Sequence, residues 1–114
     1  MAKAGIARLT EALACELDGT GVQVFAIHPG FVRTPMTEML AWGDQGRTWL
    51  PGFGQGAKQR WRDGRSAAEL VAAIAGGAAD EPTGRVLWAG DDLETLASRC
   101  RADPDYRRLR LIGD

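Results

Sequence analysis

The sequence predicts an α/β fold, on three observations. A helix-period apolar stripe opens the chain, two short β-branched runs lie far apart, and helical patterns stand before, between and after them. The resulting order is helix, strand, long loop, helix, strand, helix, and such alternation belongs to proteins built on parallel sheets. Two strands are too few for an independent open sheet, since three or more are normally needed. The chain therefore reads as part of a larger sheet.

Residues 2–18 form the first helix in this reading. Ile6, Leu9, Leu13 and Leu17 recur at spacings of three and four, while Arg8, Glu11 and Asp18 fall off the stripe. Alanines and Gly5 fill much of the remaining surface, which allows another helix or a sheet to approach closely. Asp18-Gly19-Thr20-Gly21 ends the helix. Residues 22–27 (Val22, Gln23, Val24, Phe25, Ala26, Ile27) follow as a strand expected to be buried on both faces, because Gln23 is its only polar member. His28-Pro29-Gly30 stops it, proline removing a donor and glycine permitting a sharp turn.

From residue 31 to residue 65 the pattern is irregular. Residues 37–42 suit a short helix, and Thr34-Pro35 is a helix-start signal; beyond, Gly43, Gly46, Pro51, Gly52, Gly54, Gly56 and Gly64 are expected to break any long element. Trp42, Trp49, Phe53 and Trp61 argue against an open linker, which gains nothing from aromatic side chains. A loop longer than ~12–15 residues in a compact domain is usually functional or disordered, and this one reads as a folded-over lid.

Ser66-Ala67-Ala68-Glu69 has the form of a capping box, starting a helix with Leu70, Val71 and Ile74 that ends near Gly76-Gly77. A turn over 80–84 leads to a second strand, residues 85–89. Gly90-Asp91-Asp92 then caps a last helix with Leu93, Leu96, Ala97 and Cys100, which Pro104 breaks. Tyr106, Leu109, Leu111 and Ile112 make an apolar extension, and Arg107, Arg108 and Arg110 beside Asp103 and Asp105 read as one face of a solvated surface helix.

Composition narrows the function. At 114 residues, 45% hydrophobic and 25% charged, the chain suits one soluble domain. A net charge of −1 provides no field for nucleic acid or anionic lipid, so neither is an expected partner. Cys15 and Cys100 fit no metal-ligand or redox spacing, and no metal site is expected. No apolar run approaches the ~18 residues of a membrane span, and the first residues lack a signal-peptide core. A cytoplasmic location with reduced thiols is the expectation.

Residues 2–17, Gly19-Thr20-Gly21-Val22 and His28-Pro29-Gly30-Phe31-Val32-Arg33-Thr34-Pro35-Met36 together closely resemble the short-chain dehydrogenase/reductase family. Ser66-Ala67-Ala68-Glu69-Leu70-Val71 and the residues 84–92 look like that family's next helix and last core strand, so the resemblance spans residues 1–92. It implies the C-terminal part of a Rossmann-type doubly wound sheet, with residues 31–65 as the substrate lid and residues 93–114 as a terminal helix and extension. The implied parent activity is NAD- or NADP-dependent oxidation of an alcohol or reduction of a carbonyl.

By the same resemblance Lys3 is the lysine of a Tyr-x-x-x-Lys motif, favouring the phenolate of the tyrosine and bonding the nicotinamide ribose. Pro29 and Gly30 cover the nicotinamide, while Val32 and Thr34 bond its carboxamide or the phosphates. Met36, Met39, Leu40 and Trp42 line the lid. The motif places its tyrosine two residues before Met1, and the catalytic serine and dinucleotide glycine turn earlier still. The chain is therefore expected to begin just after the tyrosine and to be inactive alone. The rival reading is a non-catalytic fragment, or a binding or interaction remnant. His28 reads as a structural histidine. A small-molecule alcohol or carbonyl substrate and a homo-oligomeric parent, through the helix of Lys3, complete the expectations.

Overall fold

The computed structural model describes residues 2–77 and 83–110. Helix α1 covers Ala2–Glu16, close to the expected range. Its apolar stripe is not covered: Ile6, Leu9 and Leu13 are 48%, 58% and 36% exposed. What α1 meets instead is the start of the second strand region, where a Cβ on Gly84 would stand 2.9 Å from Ala14 Cβ. The stripe remains available to another surface.

Strand β1 is Ala26–His28 and strand β4 is Val86–Trp88, paired in parallel with Ala26 opposite Val86 and His28 opposite Trp88. Both are shorter than their β-branched runs suggest. At residue 24 the ladder gives way to turn bonds, with Gly84 N–H donating to Val24 O and Val24 N–H to the Thr83 hydroxyl. The expected burial on both faces is also wrong. Val22 is 54% exposed, Ala26 and Ile27 are half-buried and His28 is exposed, because β1 has a strand neighbour on one edge only among the described residues.

Helix α5, Arg65–Ala75, and helix α6, Leu93–Ala102, pack on this pair. Leu70 of α5, Leu87 of β4 and Leu96 and Cys100 of α6 form the buried core, flanked by Phe25, Ile27, Ile74, Leu93 and Tyr106. The predicted capping box at Ser66 does not form. Helix α5 starts two residues earlier, with Gly64 at its cap and no side-chain cap bond, so Ser66 already lies inside the first turn. Helix α6 starts as expected, the Asp92 carboxylate accepting from Thr95 N–H at 2.9 Å. That bond holds the Asp92 carboxyl below the usual carboxylate range.

Residues 31–65 fold rather than loop. Strand β2, Phe31–Val32, pairs in parallel with strand β3, Trp61–Arg62. Between them lie α2, Pro35–Trp42, α3, Asp44–Trp49, and α4, Phe53–Arg60. Three of the glycines expected to break structure sit inside helices, and two of these have a different purpose. A Cβ on Gly46 would stand 2.0 Å from Leu40 O, and one on Gly54 2.2 Å from Ala41 O. Their bare backbones let the helices cross closely.

The tail is a turn, not the expected surface helix. Arg85, 6% exposed, spends its guanidinium on the carbonyls of Tyr106 and Pro104, and Val86 N–H donates to Arg107 O. These bonds draw residues 104–107 against β4 and satisfy a buried charge that would otherwise be costly. Arg110 and Arg8 then pair with Glu11 on α1, and Arg107 with Asp91. The Cα radius of gyration is 16.6 Å, against about 13 Å for a compact domain of this length. The open α1 face and the separate lid layer account for the spread. No helix among the described residues is long and apolar enough to cross a membrane.

Candidate functional site

The sharp turn after β1 is built by three adjacent residues. Pro29 ends the strand, Gly30 adopts φ +80°, and Gly30 N–H donates back to His28 Nδ1 at 3.1 Å. That bond makes Nδ1 an acceptor, so the neutral ring carries its proton on Nε2. The imidazole stacks on Trp88 with ring centroids 4.4 Å apart, and Ala89 N–H donates to His28 O. His28 is therefore a structural residue that fixes the turn to β4. The turn lies outside the carboxyl ends of two parallel strands, where open α/β sheets bind their ligands.

Beyond the turn, the start of α2 is held by a reciprocal cap. Thr37 N–H donates to Thr34 Oγ1 at 3.2 Å, Thr34 N–H donates to Thr37 Oγ1 at 2.8 Å, and the Thr37 hydroxyl lies 2.9 Å from Val32 O. One threonine thus ties β2 to α2. Thr34 and Val32 were expected at the site and Thr37 was not, although the Thr34-Pro35-x-Thr37 spacing carries its signal.

The lid aromatics form a small core of their own. Phe31 meets Phe53 edge-on at 5.2 Å and stacks on Trp61 at 6.4 Å, and Trp42 meets Trp61 edge-on at 4.7 Å. Arg33 pairs with Glu38 and lies over Trp61, 5.1 Å from the ring centroid. Trp61 Nε1 is buried without a hydrogen-bond partner among the described residues. Trp49, 78% exposed, stays outside the cluster. Of the proposed lid residues, Met36 and Met39 are more than 60% exposed, Trp42 is 39% exposed and Leu40 is half-buried.

A cleft of about 440 Å³ opens where the two layers meet, lined by His28, Gly30, Phe31, Arg60, Arg62 and Trp88. It combines apolar and aromatic walls with a few polar groups, the usual make-up of a small-molecule site. Neither Arg60, Arg62 nor Trp88 was marked by the sequence analysis, since no spacing rule places a lid arginine beside a turn thirty residues earlier. A Cβ on Gly30 would come within 3.3 Å of Arg62 Cδ, so the bare turn is part of the cleft wall. A larger groove of about 760 Å³ runs between α5 and α6, but its charged lining is mainly acidic, Glu69, Asp91, Asp92 and Glu94 against Arg101. An anionic dinucleotide has no reason to enter there.

Lys3 lies apart from this constellation. It is exposed on the first turn of α1, and no hydrogen bond or ion pair joins it to residues 29–34 among the described residues. Tyr106, the one tyrosine of the chain, belongs to the core and tail. Its hydroxyl lies 3.0 Å from Arg99, and hydrogen bonds from Arg99 and then Arg107 lower its pKa below that of a free phenol. Among the described residues no group of three or more His, Cys, Asp or Glu could hold a metal ion.

Residues 1–44, which run from α1 through the turn and α2, match the family model of short chain dehydrogenases. A short chain dehydrogenase/reductase of Claviceps purpurea is 31% identical over 96% of the chain and 35% of its own length. The oxidoreductase UcpA of Salmonella typhimurium is 51% identical over 36% of the chain and 16% of its own length. The 3-oxoacyl-[acyl-carrier-protein] reductase FabG of Thermotoga maritima is 50% identical over 33% of the chain and 15% of its own length. The chain thus spans about a third or less of the curated relatives it matches. No solved structure matches it. Its parallel strand pairs, its Pro-Gly turn and these matches place the chain in the short-chain dehydrogenase/reductase family, as a partial Rossmann-like α/β fold.

Proposed function

We propose that this chain supplies the nicotinamide-facing turn and the substrate lid of an NAD- or NADP-dependent oxidoreductase acting on an alcohol or carbonyl. One observation carries the reading: Gly30, at φ +80°, leaves a bare backbone at the carboxyl ends of β1 and β4, opening on a cleft of about 440 Å³. A side chain there would fill the space against Arg62, so the cradle fits a flat ring. The bound cofactor supplies or accepts the hydride. The names of the oxidoreductase and 3-oxoacyl reductase relatives support a carbonyl as its partner.

The chain's own residues bind and orient. Pro29 and Gly30 set the turn against the ring, Val32 offers backbone groups beside it, and Thr34 stands at the positive end of α2. Such contacts choose which ring face is presented, an effect of orientation. Lys3 acts as an ammonium beside a phenol, favouring its ionised form. The position of α1 supports this role. Its Glu11 and Ala14 lie against Gly84, near the amino ends of the strands, and Lys3 stands about 12 Å further along the helix. Residues 31–65 form the lid, with Met36, Met39, Leu40 and Trp42 on the substrate side. Residues 1–92 carry the family fold and residues 93–114 follow as a helix and extension. The uncovered stripe of Ile6, Leu9 and Leu13 supports pairing of α1 with a second copy, in a cytoplasmic homo-oligomer.

A second reading concerns these residues taken alone. Tyr106 is engaged by Arg99 in the tail, so among the described residues no phenol reaches the cleft. They therefore bind and orient without turning over any alcohol. Reduced-nicotinamide fluorescence tests the main reading. Binding is expected to weaken at least tenfold when Lys3→Ala and Thr34→Val are combined, and unchanged binding overturns it.

A further inference from the structure

We propose that Arg60 and Arg62 form an anion-recognising wall of the lid, so that the substrate carries an oxyanion, a carboxylate in the first instance. The inference rests on the oxidoreductase reading and deepens it. Both arginines line the cleft that also exposes Gly30, and the Arg62 stem is the neighbour a Cβ on Gly30 would touch, at 3.3 Å. A guanidinium on that stem stands beside the turn proposed to face the reacting ring.

The pairing of the other arginines makes these two distinctive. Arg8, Arg33, Arg47, Arg65, Arg107 and Arg110 each pair with a carboxylate. Arg85 is satisfied by carbonyls and Arg99 by the Tyr106 hydroxyl. Arg60 and Arg62 have no such partner among the described residues, although the chain carries 15 acidic side chains. The carboxyl end of α4 accounts for a cation at residue 60, but residue 62 lies beyond the helix, in β3. Trp61 between them has its own buried, unpartnered indole N–H. Arg60 and Arg62 therefore present two guanidinium groups to a cleft walled by Phe31, His28 and Trp88, with no acidic side chain in its lining.

Guanidinium groups match a carboxylate in a two-bond fork, which a neutral amide cannot accept with equal strength. The register of β3 holds the pair in place, since Trp61 stands opposite Phe31 and Arg62 opposite Val32. The lid core thus fixes the height of the charges above the turn. The other anion at hand is the cofactor pyrophosphate, which in doubly wound sheets belongs at a glycine-rich helix start; the experiment separates the two.

Tryptophan fluorescence of the full chain is titrated with 3-phenylpropionate and with its neutral amide, 3-phenylpropanamide, and in parallel with NADH and NADPH. The carboxylate is expected to bind at least fivefold more tightly than the amide, the gap narrowing as salt rises. Arg60→Gln with Arg62→Gln removes the gap and leaves cofactor affinity within twofold. Arg60→Lys with Arg62→Lys restores part of it, and Arg65→Gln leaves it intact. Equal binding of the two probes to the unaltered chain overturns the proposal, as does a gap that survives the double glutamine variant. Cofactor affinity lost in that variant, with the probe gap intact, assigns the arginines to the pyrophosphate and also overturns it. A gap that the double glutamine variant removes, in a chain that binds neither cofactor, supports the anion wall and sinks the oxidoreductase reading instead.

Discussion

Replacing Thr37 with valine removes one hydroxyl and almost no volume, yet it is expected to loosen the whole turn. That oxygen accepts from Thr34 N–H at 2.8 Å and stands 2.9 Å from Val32 O, so the change unties β2 from α2 and leaves a half-buried backbone N–H without its acceptor. A net intramolecular hydrogen bond is worth about 0.5–1.5 kcal/mol, and an orphaned donor costs about 1–3 kcal/mol. Loss of a helix cap lies in the same range, about 0.5–2 kcal/mol. Part of the Thr34 N–H bonding is recovered by water, because the site is not sealed. The expected loss is therefore about 1.5 kcal/mol, most of it local. Native-state hydrogen exchange reads this directly. The Thr34 and Thr37 amides should exchange about tenfold faster in Thr37→Val, while the amides of Leu87 and Leu96 in the core keep their rates. Unchanged protection at both threonines would refute the claim that Thr37 builds the turn, and equal loss throughout the core would show that the effect is global.

Three further outcomes follow from the packing. Gly46→Ala places a Cβ 2.0 Å from Leu40 O and should cost about 1–3 kcal/mol, lowering Tm and near-ultraviolet dichroism from the Trp42–Trp61 contact. Gly56→Ala, with open space at its Cβ, should be neutral or stabilising by up to about 1 kcal/mol in the same assays. Leu87→Ala truncates the one fully buried large side chain among the described residues and should cost about 2–5 kcal/mol in denaturant unfolding. The hydrogen bond from Arg110, with Arg8 and Arg108 nearby, holds the Glu11 carboxyl below its usual 4.5. A carboxyl lowered in the folded state stabilises above its unfolded value and loses that contribution as pH falls through the folded one. Glu11→Gln should thus cost about 1 kcal/mol near pH 7, an amount set by screening at a partly exposed site. The difference from the unaltered chain should shrink as pH falls below the unfolded value and vanish below the lowered folded one, as acid-unfolding curves would show.

Much of this was legible because local rules and tertiary packing agree. The stripe of α1, the Pro29-Gly30 turn, the Asp92 cap and the strand over 86–88 are short-range patterns, and each appears close to where it was expected. The errors share one cause. Ser66 satisfies the capping-box spacing, but the chain enters α5 through Gly64, and a cap forms only where the preceding backbone is extended. Gly46 and Gly54 read as breakers because their need, a close helix crossing, is set by Leu40 and Ala41 on another helix. The tail arginines read as a solvated helix because Glu11, their partner, lies about a hundred residues away in sequence. In the candidate site, Gly30 and Thr34 were legible as a turn and a helix start, and a role for them came only from the family resemblance. The stacking of His28 on Trp88 and the approach of Arg62 were not legible, since both depend on strand pairings across long connections.

The central claim is that the turn from Pro29 to Thr34 faces a nicotinamide ring. It is tested most directly by amide NMR of the isotope-labelled chain titrated with NADH and, separately, with ADP-ribose, which lacks the ring. NADH should shift the amides of Gly30, Val32 and Thr34 and the indole N–H of Trp88, and ADP-ribose should leave Gly30 and Val32 unmoved. Equal shifts from both compounds, or NADH shifts confined to the groove between α5 and α6, would contradict the account.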